Sequence, residues 1–172
     1  MSIGARLARR EGMRSPAQVR WPSARAEAQA QWPLFLSRQG FPMHQQIAQY
    51  NQRLRPGHRE IADLLALEID RHLSGAECRL WHAHPVWFVD GNPTVGYSPQ
   101  KAGLRLMFWS GADFDEPGLD VPGKRFKDAS TFYRDVSQVD TGELRRWLEK
   151  SRQIRWDYWN IVRRKGVLVR LD

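Results

Sequence analysis

Cys78 is the only cysteine in the chain, so an intrachain disulfide is excluded. Long apolar runs are missing as well: no stretch approaches the roughly 20 residues needed to cross a bilayer, which argues against a membrane span. A secretory signal needs an uninterrupted apolar stretch of about 7 to 15 residues behind its basic start. Met1 to Pro16 is instead broken by Arg6, Arg9, Arg10, Glu11 and Arg14. The expected setting is therefore a reducing cytoplasm. A nucleotide-cradling loop is also lacking. Lys124, Arg125 and Lys127 follow Gly123 as a small basic cluster, but no Gly-rich loop ends in Lys-Ser/Thr, which disfavours nucleotide hydrolysis.

What is present is enough chain for one ordinary domain. At 172 residues it buries a core without disulfides or structural metal. The formal charge of +8 invites a nucleic-acid reading. Residues 1–42 hold seven arginines, no lysine and two acids, so most of the excess belongs there. That stretch has no sustained period and is rich in Arg, Ala, Ser, Gln and Pro, the composition of a flexible Arg-rich extension. The hypothesis is that Met43 is the natural start and the leader a gene-model artefact. The alternative is a genuine targeting or nucleic-acid arm. Intact mass of the native protein decides, because an N-terminus at Ser2 contradicts the artefact.

From Met43 the pattern changes. Ile47, Tyr50 and Leu54 stand at helical spacing before Pro56 and Gly57. Ile61, Leu64, Leu65, Ile69 and Leu73 then make the apolar stripe of a helix over 58–73, with Ser74-Gly75 as terminator. Its acids, Glu60, Asp63, Glu68 and Asp70, read as a solvated face, with a metal-collecting ridge as the alternative. From Glu77 to Trp109 the period becomes two. Val86 to Val89 and Thr94 to Tyr97 flank the turn residues Asp90-Gly91-Asn92-Pro93. Gln100 to Gly103 makes the next bend into Leu104 to Trp109, where Leu104, Leu106 and Phe108 share a face. Ser110 to Lys124 reads as an exposed acidic loop, Thr131 to Val136 as a fourth strand, and Asp140-Thr141 as a helix cap.

On a helical wheel Leu144, Trp147, Leu148, Ser151, Ile154, Tyr158, Ile161 and Val162 occupy one arc, which carries the terminal helix to about Arg164. Arg155 intrudes on that arc and Trp156 points away, so a kink, a change of partner or a break near Ser151 stays open. The resulting class is α+β, an antiparallel sheet of about four strands packed against N- and C-terminal helices.

Trp81-His-Ala-His-Pro-Val-Trp-Phe88, Asp90-Gly-Asn-Pro93, Leu106-Met-Phe-Trp-Ser-Gly111, Phe114 to Leu119 and Ile154 to Val162 occur in an order that resembles the YdhG-like family, a domain of unknown function. The resemblance covers about residues 43–166, leaving 167–172 as a C-terminal tail. It implies an α+β domain with an antiparallel sheet against helices. Part of the family is linked to frataxin-like iron handling. Many relatives carry an aromatic and a glycine or methionine before the proline matching Pro85, where this chain has His82, Ala83 and His84.

Three functional readings compete. In the first, the sheet and the terminal helix form a groove walled by Trp81, His82, His84, Trp87, Trp109 and Trp156, which binds a small ligand or a partner segment. Ordinary aromatic packing is its alternative, since eight tryptophans in a small chain also serve a core. A histidine there is also suited to acid/base work or anion contact. In the second, a continuous strand from Cys78 to Phe88 places Cys78, His82 and His84 on one face as ligands for zinc or another transition metal. In the third, Arg145, Arg146, Lys150, Arg152, Arg163, Arg164 and Lys165 along the terminal helix, with Trp156 interleaved, contact nucleic acid. Asp113, Asp115 and Glu116 lack the ordered spacing of a calcium loop and read as solvated acids. Cys78 as a nucleophile would need a depressed thiol pKa and an oriented base. No cofactor or oligomeric state is legible.

Overall fold

A computed structural model describes residues 44–171. The Arg-rich extension and the start at Met43 lie outside the described residues. Helix α1 (Gln45–Gln52) is followed by α2 (Pro56–His72), which a proline opens in its first turn, where an N–H has no helical partner to lose. Ile61, Leu65 and Ile69 on α2 are fully buried. Burying one such side chain contributes roughly 1.5–3 kcal/mol, against helix propensity differences of at most about 0.7 kcal/mol per ordinary residue. Packing therefore fixes this helix, and Gly75 (φ 86°) turns the chain after it.

Four strands follow as a meander: β1 (Glu77–Trp81), β2 (His84–Val89), β3 (Asn92–Gln100) and β4 (Gly103–Phe108). Trp81 pairs with His84 and Val89 with Asn92, so two-residue loops join the first three strands. Both loops use positive φ throughout, at His82 and Ala83 (49° and 63°) and at Asp90 and Gly91 (49° and 75°). Primed turns of this kind match the twist of the strands they join. A short strand β5 (Val121–Pro122) and then β6 (Ala129–Tyr133) complete a six-stranded antiparallel sheet of order β1-β2-β3-β4-β6-β5. The expected fourth strand is β6, with its bounds moved. Helix α3 (Thr141–Gln153) starts at Asp140, whose carboxylate accepts from the backbone of Gly142 and Glu143.

Alternation divides the sheet into two faces. Trp87, Val95, Tyr97, Leu104, Leu106, Phe108, Ala129 and Tyr133 face the helices and join Ile61, Leu65, Ile69, Leu144, Trp147 and Leu148 in one core. A buried polar chain crosses it. Tyr97 Oη donates to Asn51 Oδ1 at 2.9 Å, and Asn51 Nδ2 donates to Asp63 Oδ1 at 2.9 Å, tying the sheet to α1 and α2. Three of the four α2 acids are accordingly engaged, since Asp70 accepts from the Trp87 indole and Glu68 meets Arg71 and His72 beside the bonded Asp63, while Glu60 is exposed as the solvated reading expects.

The terminal helix ends at Gln153, short of the expected Arg164 and close to the break near Ser151 that the positions of Arg155 and Trp156 left open. Ile154 is extended (φ −109°, ψ 98°), and Arg155–Trp156 (β7) pairs with Arg170–Leu171 (β8), within the stretch set apart as a tail. Tertiary partners override the wheel. Trp156 Nε1 donates to Asp113 at 2.8 Å, and Tyr158 Oη accepts from the Lys127 backbone N–H at 3.0 Å. A continuing helix would carry both side chains away from these partners.

The acidic loop is not simply exposed either. Phe114 and Leu119 enter the core, and the nearly buried Glu116 carboxylate accepts from the Trp147 indole and meets Arg146 and Lys150. Together these contacts lower Glu116 to a pKa of about 2, the Arg146 hydrogen bond most of all.

Candidate functional site

The sheet face turned away from the helices carries the candidate site. Register places His84 and Val86 of β2, Gly96 and Ser98 of β3, and Arg105 and Met107 of β4 on that face. Gly96 is required there. A Cβ on it would stand 2.6 Å from the Pro85 carbonyl oxygen and 3.3 Å from Trp109 Cζ3. The glycine thus lets the Trp109 ring lie across β3. Trp81, paired opposite His84, packs its ring 5.9 Å from Trp109 and 5.6 Å from Phe88. Phe88 and Val86 are buried outside the helix-side core, which gives this aromatic layer its own apolar base.

Beside these packed rings lies a recess of about 190 Å³, lined among others by Trp81, His84, Tyr97, Arg105, Met107 and Trp109. Its cation is Arg105. The guanidinium is held by three neighbours, Nε donating to Ser130 Oγ at 2.8 Å and Nη2 donating to Met107 Sδ at 2.7 Å while lying 3.6 Å from Asp128. Nη1 makes no hydrogen bond among the described residues. His84 Nδ1 lies 3.4 Å from the Tyr50 hydroxyl. Burial lowers the pKa of this imidazole, and the neighbouring His82 and Arg105 lower it further, so it is neutral at physiological pH. The recess therefore joins flat apolar walls, one fixed positive charge and one neutral imidazole.

Four of the six groove residues read from the sequence, Trp81, His82, His84 and Trp109, line this recess. The other two do not. Trp87 is on the opposite face, its Nε1 donating to Asp70 at 2.6 Å, and Trp156 sits in β7 between Asp113 and Lys127. No terminal helix closes the recess, because α3 packs on the other face. Arg105 and Met107 were missed, although the alternation Leu104-Arg105-Leu106-Met107-Phe108 already sets them opposite the core face.

The metal reading assumed an unbroken strand from Cys78 to Phe88, and the chain reverses at His82-Ala83 instead. Cys78 pairs with Trp87 and so faces the helices, whereas His84 faces the other way. Burial pushes the Cys78 thiol up, and the Asp70 charge adds to it, so thiolate ligation and nucleophilic attack are both opposed. Among the described residues no group of three or more His, Cys, Asp or Glu is placed to hold a metal ion.

The basic helix is also divided. Arg145 pairs with Glu149, Arg146 with Glu116 and Glu143, and Lys150 with Glu116. Arg163, Arg164 and Lys165 lie beyond its end. No described helix is long and apolar enough to cross a membrane.

No family model and no curated protein matches the chain. It is similar to the crystal structure of a protein of the DUF1801 family, YdhG of Bacillus subtilis, at 16% sequence identity and a TM-score of 0.48. The alignment covers 70% of this chain and 91% of that one.

Proposed function

We propose that the domain is a binding module whose Trp81–Trp109 recess holds a small planar ligand with an anionic group, or one such side chain of a partner segment. The observation that carries this reading is the Arg105 guanidinium, fixed by Ser130, Asp128 and Met107, in a recess bordered by two tryptophans. At about 190 Å³ the space is smaller than the roughly 300–1,000 Å³ of drug-sized ligand sites. One ring and one carboxylate suit it. With His84 neutral, the charge complementarity comes from Arg105, and a hydrogen bond to a charged partner is worth about 1.5–3 kcal/mol.

Benzoate tests the idea, with benzyl alcohol as its uncharged counterpart. Benzoate should shift the indole N–H resonances of Trp81 and Trp109, and Arg105→Gln should weaken it by about tenfold. The proposal fails if benzyl alcohol binds as well as benzoate, or if Arg105→Gln leaves the titration unchanged.

A further inference from the structure

A second recess, of about 360 Å³, lies where the β2–β3 turn meets the segment following α3. Asp90, Asn92, Arg155, Asp157, Trp159 and Asn160 contribute to its lining. Its volume falls inside the usual range for a ligand site. The walls are built from defined bonds. Asn92 Oδ1 accepts from the Trp159 backbone N–H at 3.0 Å. Asp157, 3% exposed, accepts from the backbone and side-chain amides of Asn160 and pairs with Arg164 at 2.7 Å.

Charge limits the occupant. Asp90 pairs with Arg155 and Asp157 with Arg164, so the carboxylates and guanidiniums balance. A phosphate would meet the Asp90 carboxylate, and an ammonium would meet the Arg155 guanidinium. The Asp90 side chain is 77% exposed, which leaves acceptor capacity toward solvent. At the rim stands Trp159, 66% exposed. An indole left open beside paired donors and acceptors offers a flat apolar face together with polar groups of both kinds.

We propose that this recess binds a neutral, hydroxyl-rich ligand, a pyranose unit of a saccharide, stacked on Trp159 with its hydroxyls against the open side of the Asp90–Arg155 pair. The C–H face of the sugar ring covers the indole. Its hydroxyls both donate and accept, so they satisfy a carboxylate and a guanidinium together, which a simple anion or cation does not.

The test uses the full chain, titrated with maltotriose, cellotriose and tri-N-acetylchitotriose at millimolar concentration while indole and backbone N–H resonances are followed. At least one sugar should shift the Trp159 resonance saturably. Asp90→Asn should weaken that titration, and Trp159→Ala should abolish the accompanying shifts of the Gly91 and Asn160 backbone N–H groups that line the recess, while leaving the other indole resonances in place, because Trp159 is exposed and not part of the core. Absence of a response to all three sugars overturns the proposal. So does a sugar response that persists in Trp159→Ala. Oligothymidylate that shifts Trp159 at lower concentration than any sugar, and loses the effect at high salt, assigns the surface to nucleic acid instead.

Discussion

Glu116 is the acid on which the sheet-side loop and α3 converge, and removing it should separate a charge contribution from a hydrogen-bond contribution. Its carboxylate is nearly buried and accepts from Trp147 Nε1 at 3.1 Å, meets Arg146 Nη2 at 3.0 Å and meets Lys150 Nζ at 2.7 Å. Lowering a carboxyl from 4.5 to about 2 corresponds at full strength to about 3 kcal/mol. Solvent around the half-exposed Arg146 screens that figure, leaving about 1–2 kcal/mol. Glu116→Gln removes the charge and keeps an acceptor for the indole, so it should cost about that amount. Glu116→Ala also strands the N–H of Trp147, a residue only 1% exposed, which adds about 1–3 kcal/mol.

Urea unfolding at neutral pH measures the difference, and a pH series gives its sign. A carboxyl lowered on folding stabilises fully above its unfolded value and loses that contribution as pH falls from 4.5 toward about 2. Over this window Glu116→Gln should lose less stability than the parent. Parallel decline of the two proteins, or Glu116→Ala no less stable than Glu116→Gln, refutes the reasoning.

Asp70 presents the reverse case. Burial raises its pKa while the Trp87 bond opposes the rise, so the folded state binds the proton more tightly and stability falls as pH climbs through the raised value. Asp70→Asn, which retains an acceptor, should match or exceed parental stability at neutral pH, and Asp70→Ala should lose about 1–3 kcal/mol; equal losses in urea melts contradict this. Ala83 sits at φ 63° in the first hairpin loop. Ala83→Gly should gain about 1 kcal/mol with an unchanged urea m-value, and a loss of stability would mean that the turn is not the strained primed form.

The fold was legible where local chemistry and burial agree. The α2 stripe, the turn at Asp90-Gly91-Asn92-Pro93, whose last two residues the structure gives to β3, and the Leu104-Leu106-Phe108 face each pair a strong pattern with the environment it requires. Legibility failed where distant partners decide. Arg155 and Trp156 leave the helical arc and so mark a break near Ser151 as one alternative, but nothing local in Ile154 to Val162 announces that Trp156 bonds Asp113 and that Tyr158 receives the Lys127 N–H, the partners that decide against a helix to Arg164. Glu116 gave no sign of burial for the same reason: its three partners lie about thirty residues away in the chain.

The site shows a subtler confusion. Two histidines separated by one residue read as a chemical pair on one strand face, because alternate strand residues share a side. Here the interval spans a turn, and His82 occupies one of its positive-φ positions while His84 opens the next strand. Spacing therefore reported hairpin geometry. What it concealed was the alternation of β4, which sets Arg105 and Met107 on the same face as His84 once the β2–β3–β4 register is known. A recess assembled from three strands has no contiguous motif, so the charged residue that gives it chemical direction becomes legible only through strand pairing. The aromatic motif marks one wall of the recess, and the cation opposite follows from the sheet.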